Sequence, residues 1–285
     1  MTNIKSYVKL SRLEHGIMVA LAIFTGAFAS EGPAVFHRNF VNLIIGMLSG
    51  ILVEVGTFTF NDYFNIEEDR INAPYRPLVT GEIGLKEAFY FGFLTLLLGV
   101  LLNVFINAFV FALIAFTALI GMLYNVYFKK SGVFGNLLVA YSTALPFIYG
   151  ALILKSPLHV PLSAVLFSAI AFFAALGREI VKGIVDIEGD KRAGVKTLAL
   201  IIGLKRAAFT ASLLFLVAVI LSLLLFFIVK NPWLYVAFII PTDLIFLYSA
   251  YSIARKPSRE NANSIRKKTL LGMSLGIIGF FAGFL

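Results

Sequence analysis

Two stretches of the chain carry oxygen and nitrogen groups at spacings suited to metal and phosphate chemistry. The first is Asn61–Asp69, NDYFNIEED; the second is Arg178–Asp190, REIVKGIVDIEGD. At about 100° per helical residue, Asp62, Asn65 and Asp69 fall within an arc of roughly 60°. A helix through the first stretch would present them as one polar line. Carboxylate and amide oxygens suit hard cations, and Mg²⁺ is typically held by one or two carboxylates together with substrate phosphates and water. In the second stretch Arg178, Lys182, Asp186 and Asp190 recur every fourth residue, drifting about 120° around a helix, with Glu179 near the same line. There Arg178 and Lys182 could clamp phosphate oxygens while Asp186 and Asp190 hold a metal. Glu67 and Glu68 lie off the first line and read as solvated helix-end acids. The plain alternatives are a solvated helix end and an intrahelical ion-pair ladder, the latter worth only about 0.2–0.5 kcal/mol per pair.

What favours a site is where the clusters sit. Each follows an apolar segment of membrane length without a break, and ionisable groups at membrane depth are costly and usually functional. The chain has 285 residues, 60% hydrophobic and 14% charged, whereas soluble domains carry about 25% charged residues. This defines an all-α, polytopic membrane protein embedded in a lipid bilayer. A spanning helix needs about 20 apolar residues, and nine spans are predicted, at 15–34, 39–60, 85–104, 106–125, 136–154, 159–180, 207–228, 232–252 and 267–285. Asn103 and Asn107 flank a tight connection and should face a helix interface. Gly46-x-x-x-Gly50 and Gly272-x-x-x-Gly276 should let helices approach closely, and Pro146 and Pro241 should kink the helices that hold them. No linker or separate soluble domain interrupts residues 1–285, so a single domain is expected.

The net charge of +9 is a topological signal, not a nucleic-acid signal, because Lys and Arg mark cytoplasmic loops. With the N-terminus inside, 21 of the 24 Lys and Arg residues fall on inside segments; Arg38, Lys155 and Lys230 fall outside. That count predicts a multi-pass protein of the cell membrane, with the C-terminus outside and both acidic clusters on the cytoplasmic face, four spans apart. Ala27-Phe-Ala29 resembles a signal-peptidase site, but the membrane-embedded chain beyond it favours a retained first helix. There is no cysteine, and His15, His37 and His159 have no ligand spacing.

Cations and aromatics near the clusters extend the candidate set. Asn72, Arg76 and Lys86 follow the first cluster; Tyr124, Tyr127, Lys129 and Lys130 follow the fourth span; Lys196 and Thr197 follow the second cluster. Tyr63, Phe64, Tyr124 and Tyr127 could offer ring faces to a carbocation. Two acids lie deeper: Glu54, seven residues before Asn61 and on nearly the same helix face, and Asp243, beside Pro241.

The paired motifs resemble those of the UbiA superfamily of intramembrane prenyltransferases. The first motif of that family, N-D-x-x-D-x-x-x-D, stands here as Asn61-Asp62-Tyr-Phe-Asn65-Ile-Glu-Glu-Asp69. The second, D-x-x-x-D, stands as Asp186-Ile-Glu188-Gly-Asp190. Asn72…Arg76-Pro77-Leu and Gly194…Lys196-Thr197 match as well, and Asn65 departs from the usual Asp. The resemblance implies nine transmembrane helices around a central cavity, with a cytoplasmic cap of loops, and Mg²⁺-dependent transfer of a prenyl group from an allylic diphosphate. It implies catalytic, metal-holding roles for Asp62, Asp69, Asp186 and Asp190. Asn61, Asn65, Arg76, Tyr124, Lys129, Lys130, Arg178, Lys182 and Glu54 form the substrate-binding set. Within the superfamily the run from Arg178 to Asp190 looks most like archaeal digeranylgeranylglyceryl phosphate synthases. That implies geranylgeranyl diphosphate as donor, geranylgeranylglyceryl phosphate as acceptor and an archaeal ether lipid as product. An aromatic or porphyrin-like acceptor is the alternative within the family. A cation transporter is the alternative outside it, and would place its acids near the bilayer midplane instead of at one face.

Overall fold

A computed structural model describes residues 4–128, 131–154, 160–192 and 194–285, leaving aside the side chains of Ile71, Asn72 and Arg192. Lys129, Lys130, Lys155 and His159 therefore lie outside the described residues, as do the side chains of Asn72 and Arg192. The described chain is helical and contains no strand. Nine long helices dominate: α1 (Leu13–Glu31), α2 (Phe40–Phe64), α3 (Leu85–Leu101), α4 (Ala108–Leu123), α5 (Val133–Leu152), α6 (Leu162–Val185), α7 (Leu204–Leu225), α8 (Pro232–Arg255) and α9 (Arg259–Ala282).

Eight of the nine predicted spans correspond to helices long and apolar enough to cross a membrane. The difference lies in α9. Its first turns carry Arg259, Glu260, Arg266, Lys267 and Lys268, so the apolar part begins only at Thr269. It nevertheless packs into the bundle against α6 and α8, with Thr269 and Gly272 buried.

Small residues set the helix spacing. A Cβ on Gly26 would lie 2.0 Å from the Phe147 carbonyl oxygen, and one on Gly150 would lie 2.0 Å from that of Ile23. The backbones of α1 and α5 thus touch, as small-residue interfaces allow in lipid. Gly56 and Gly99 do the same between α2 and α3, facing the backbone nitrogens of Leu96 and Val53 at 2.9 Å each. Gly46 and Gly50 pack against Ile153 and Ile23, and Gly272 and Gly276 against Phe246 and Thr242, so both small-residue spacings serve close packing. We expect Gly26→Ala to lower the stability of the purified protein in detergent by about 1–3 kcal/mol or more, the usual cost of overpacking. An unchanged melting temperature would contradict the direct α1–α5 contact.

Polar groups tie several helices of the bundle together. Asn103 is fully buried, donates to Ser49 Oγ (2.8 Å) and accepts from Tyr149 Oη (2.6 Å), joining α2, the end of α3 and α5. Asn107 caps α4, accepting from the Val110 N–H at 2.8 Å. Pro146 and Pro241 lie inside α5 and α8. Ala27 and Ala29 are buried in α1, which continues to Glu31.

A short helix, Ile4–Ser11, precedes α1. Leu10 packs with Leu78, Ile83 and Ala88, and Ser6 Oγ donates to Glu82 Oε2 at 2.5 Å. That hydrogen bond holds the exposed Glu82 carboxyl below its usual range. The helix is thereby fixed beside the segment that follows the first acidic cluster, and the chain between it and α1 is aimed at that cluster.

Candidate active site

Neither acidic cluster lies on one continuous helix, contrary to the reading from spacing. α2 stops at Phe64, Asn65 leaves helical geometry (φ −108°, ψ 17°), and a new short helix runs Ile66–Asn72. Asn65 caps the break: its side-chain amide donates to the Asn61 carbonyl. Likewise α6 ends at Val185, Asp186 forms the bend (φ −96°, ψ 9°), and Ile187–Arg192 is a separate short helix. The break falls ahead of Gly189 and Gly194. The physical reason is the same twice. A helix of about 24 residues already exceeds the roughly 20 needed to cross the bilayer, so neither has to continue through its motif.

The break changes how Asp62 and Asp69 meet. Both are buried, and Arg76 bridges them, donating through Nη1 to Asp62 Oδ1 at 3.0 Å and to Asp69 Oδ2. Asp62 Oδ1 also accepts from Arg12 Nη2 at 2.6 Å. Arg12 was absent from the candidate set. It occupies the junction between Ile4–Ser11 and α1 and is the one non-glycine residue with positive φ among the described residues (φ 44°, ψ 51°). The left-handed conformation costs an L-residue about 1–2 kcal/mol, and such strain clusters at functional sites. The guanidinium also covers the Phe58 ring at 4.5 Å and lies within electrostatic range of Glu54 and His15. No spacing rule flags it, because its partner is 50 residues away.

The second cluster faces the first. Glu179 is buried between two cations, Lys182 at 3.5 Å and Arg178 at 3.9 Å. Lys182 is within range of Asp186, and Arg178 lies within range of His15 on α1 and Arg266 on α9. Tyr124 sits within range of Lys182 and Glu179 from the second cluster and of Glu68 from the first. Glu68 is half-buried, whereas Glu67 is exposed and pairs with Arg70 at 3.1 Å. Asp186 and Asp190 are half-buried at the rim.

Asn61 donates to Asn125 Oδ1 at 2.8 Å. Asn125, also absent from the candidate set, lies in a π-helical turn, Tyr124–Phe128, that extends α4; such turns recur at functional sites. Its Nδ2, Arg178 Nε and Thr197 Oγ1 are buried without hydrogen-bond partners among the described residues. A buried donor left unmatched is costly, so these three groups mark places where a ligand's oxygens would be welcome.

Other expectations divide. Tyr63 and Phe64 pack with Phe60 and Phe89 at the α2–α3 contact, away from the cavity, and Tyr127 is exposed. Lys86 and Lys196 are exposed as well. Glu54 and Asp243 both line one mainly apolar cavity walled by α1, α2 and α5–α9; Glu54 and His15 on its wall lie within electrostatic range of Arg12, and His15 also of Arg178.

Among the described residues no three Asp, Glu or His side chains converge as a ready-made metal cage. The donor set still fits Mg²⁺. This ion usually takes one or two carboxylates and completes its shell with water and substrate phosphate, and here carboxylates from two clusters share one face with cations and unmatched donors.

A mainly apolar cavity inside the bundle, with two of its lining residues in electrostatic range of Arg12 and Arg178 beside the acidic clusters, suits a ligand with an anionic head and a long apolar tail. Residues 19–276 match the model of the UbiA prenyltransferase family. The chain belongs to this family and is a prenyltransferase. It is 33% identical to the digeranylgeranylglyceryl phosphate synthase of Archaeoglobus fulgidus, over 99% of this chain and 98% of that protein. A solved structure of digeranylgeranylglyceryl phosphate synthase superposes with a TM-score of 0.81 at 30% identity, covering 100% and 99% of the two chains. A UbiA homologue from Archaeoglobus fulgidus bound to GPP and Mg²⁺ shares the fold, with a TM-score of 0.70 at 23% identity and coverage of 98% and 99%.

Proposed function

We propose that the protein transfers a geranylgeranyl group from geranylgeranyl diphosphate to the glycerol hydroxyl of geranylgeranylglyceryl phosphate. The product is the second ether of an archaeal membrane lipid. The observation that carries the class of reaction is a mainly apolar cavity whose wall residues His15 and Glu54 are in electrostatic range of Arg12 and Arg178, the cations beside the two acidic clusters. The full-length similarity to digeranylgeranylglyceryl phosphate synthases supports the particular substrates. The basic-residue count supports a cytoplasmic site and N-terminus, with the C-terminus outside.

Asp62, Asp69, Asp186 and Asp190 are the groups we assign to hold Mg²⁺. When bound, the ion supplies Lewis-acid stabilisation of the leaving diphosphate. Arg76, Arg178 and Lys182 add fixed positive charge beside these acids, and such preorganised charge acts most strongly where water is excluded. Asn125 Nδ2 and Arg178 Nε offer their unmatched hydrogens to diphosphate oxygens. Tyr124, within electrostatic range of residues from both clusters, is assigned to the substrate-binding set. Lys129 and Lys130, which follow the π-turn in sequence, are assigned to substrate binding by the family resemblance alone.

The C1–O bond of the donor breaks with its electron pair leaving on the diphosphate. The acceptor hydroxyl oxygen then bonds to C1, and its proton must go to a base. Glu54, on the cavity wall eight residues before Asp62, and the substrate phosphate are the two acceptors available. The apolar walls hold both lipid chains and keep water from the allylic carbon.

The test is an assay with both isoprenoid substrates, with and without chelator. An ether-linked product that disappears with EDTA and returns with Mg²⁺ is expected. Product only with an aromatic acceptor would overturn the substrate assignment.

A further inference from the structure

Deep in the cavity a hydrogen-bonded carboxyl interrupts the apolar wall. Asp243 on α8 and Ser222 on α7 both line it, and Ser222 Oγ donates to Asp243 Oδ2 at 2.7 Å. Ser222 is in turn fixed from behind, its carbonyl accepting from Tyr235 Oη at 2.7 Å. Tyr235 stacks on Phe280, which lines the same cavity. Ser222 is the only hydrogen-bond partner of the Asp243 carboxyl among the described residues. Among the described residues no cation pairs with it either.

Depth can be counted along α9. Arg266 lies within range of Arg178 of the second cluster. Gly276, ten residues on, contacts Thr242 beside Asp243, and Phe280 follows one turn later. At 1.5 Å per residue this part of the cavity therefore lies about 15–21 Å along α9 from Arg266. A fully extended geranylgeranyl chain measures roughly 18 Å, at about 1.2 Å of advance per bond.

We propose that Asp243, held by Ser222, is the floor that sets the length of isoprenoid chain this enzyme accepts. The inference rests on the prenyl-transfer reading above. A longer chain would have to bury methyl groups against a carboxyl that has one hydrogen bond and no other partner, which is unfavourable for any buried polar group. A chain that stops at the floor leaves that group as it is. The same carboxyl could have been a mere α7–α8 contact, but a contact needs no cavity in front of it.

The chain could belong to donor or acceptor, so the experiment has two arms. The first varies the donor, with diphosphates of 15, 20 and 25 carbons and a fixed acceptor; the second varies the acceptor chain with a fixed donor. In one arm, Asp243→Ala should raise the ratio of kcat/KM for the 25-carbon over the 20-carbon substrate at least about tenfold, while Asp243→Asn, which keeps a polar group of the same size, should retain the wild-type order. Gly276→Leu adds bulk where the ordinary contact with Thr242 leaves room, and should shift preference toward 15 carbons. It tests the floor even if Asp243→Ala does not fold. Unchanged chain-length order in both arms, with active Asp243→Ala and Gly276→Leu enzymes, overturns the proposal. Absence of any prenyl transfer by the wild type overturns the reading beneath it instead.

Discussion

Asp62→Ala loses at least about 10³-fold in turnover, the scale of removing a preorganised charge from a transition state, about 4 kcal/mol, and the protein stays folded. The fold survives because the partners of Asp62 are not stranded together. Arg76 keeps its bond to Asp69, and Arg12 is 22% exposed and can hydrate. Asp186→Ala should show the same kinetic loss with an even smaller change in stability, since Asp186 is half-buried at the rim. Comparing single-turnover rates with melting temperatures in detergent separates the two effects. Near-normal Mg²⁺-dependent turnover in either folded variant would remove these carboxylates from the reaction. Stabilisation of the wild type by Mg²⁺ with a non-hydrolysable diphosphate, absent in both variants, is a readout that needs no turnover.

Arg12→Ala is expected to be damaging in two distinguishable ways. Removing one partner of a buried ion pair costs about 3–5 kcal/mol when nothing replaces it. Here Asp62 keeps Arg76, so we expect a loss of about 1–3 kcal/mol. Alanine would also inherit the positive φ of this position. Glycine carries no such penalty, so Arg12→Gly should be more stable than Arg12→Ala by about 1 kcal/mol, although both lack the charge. Both should lose at least about tenfold in kcat/KM, because Asp62 is then held from one side only. Equal stabilities for the two variants would show that the left-handed junction carries no strain. Full activity in both would show that Arg12 is only a structural tie.

Much of the site was legible because its signals are local. Asp62, Asp69, Asp186 and Asp190 stand at the ends of long apolar runs, and an even number of spans between the runs puts both ends on one face. Arg76 and Arg178 are close in sequence to the acids they serve. Local periodicity also misled. It assumed that each helix continued through its motif, whereas both stop within it, at Asn65 and at Asp186. The count of nine spans rested on apolar length, and α9 begins with charged turns.

By itself the sequence determined an all-helical membrane protein with two acidic clusters at one face, because hydrophobic length and charge placement are properties of consecutive residues. Only the tertiary structure decided which groups meet. It brought Arg12 to Asp62 across 50 residues and Asn125 to Asn61 across 64. It sent Tyr63 and Phe64 to a helix contact. It also joined Asp243 to Ser222 on the cavity wall. Side chains far apart in the chain meet only once small residues have fixed how closely the helices pack, and no spacing within a single helix encodes that distance.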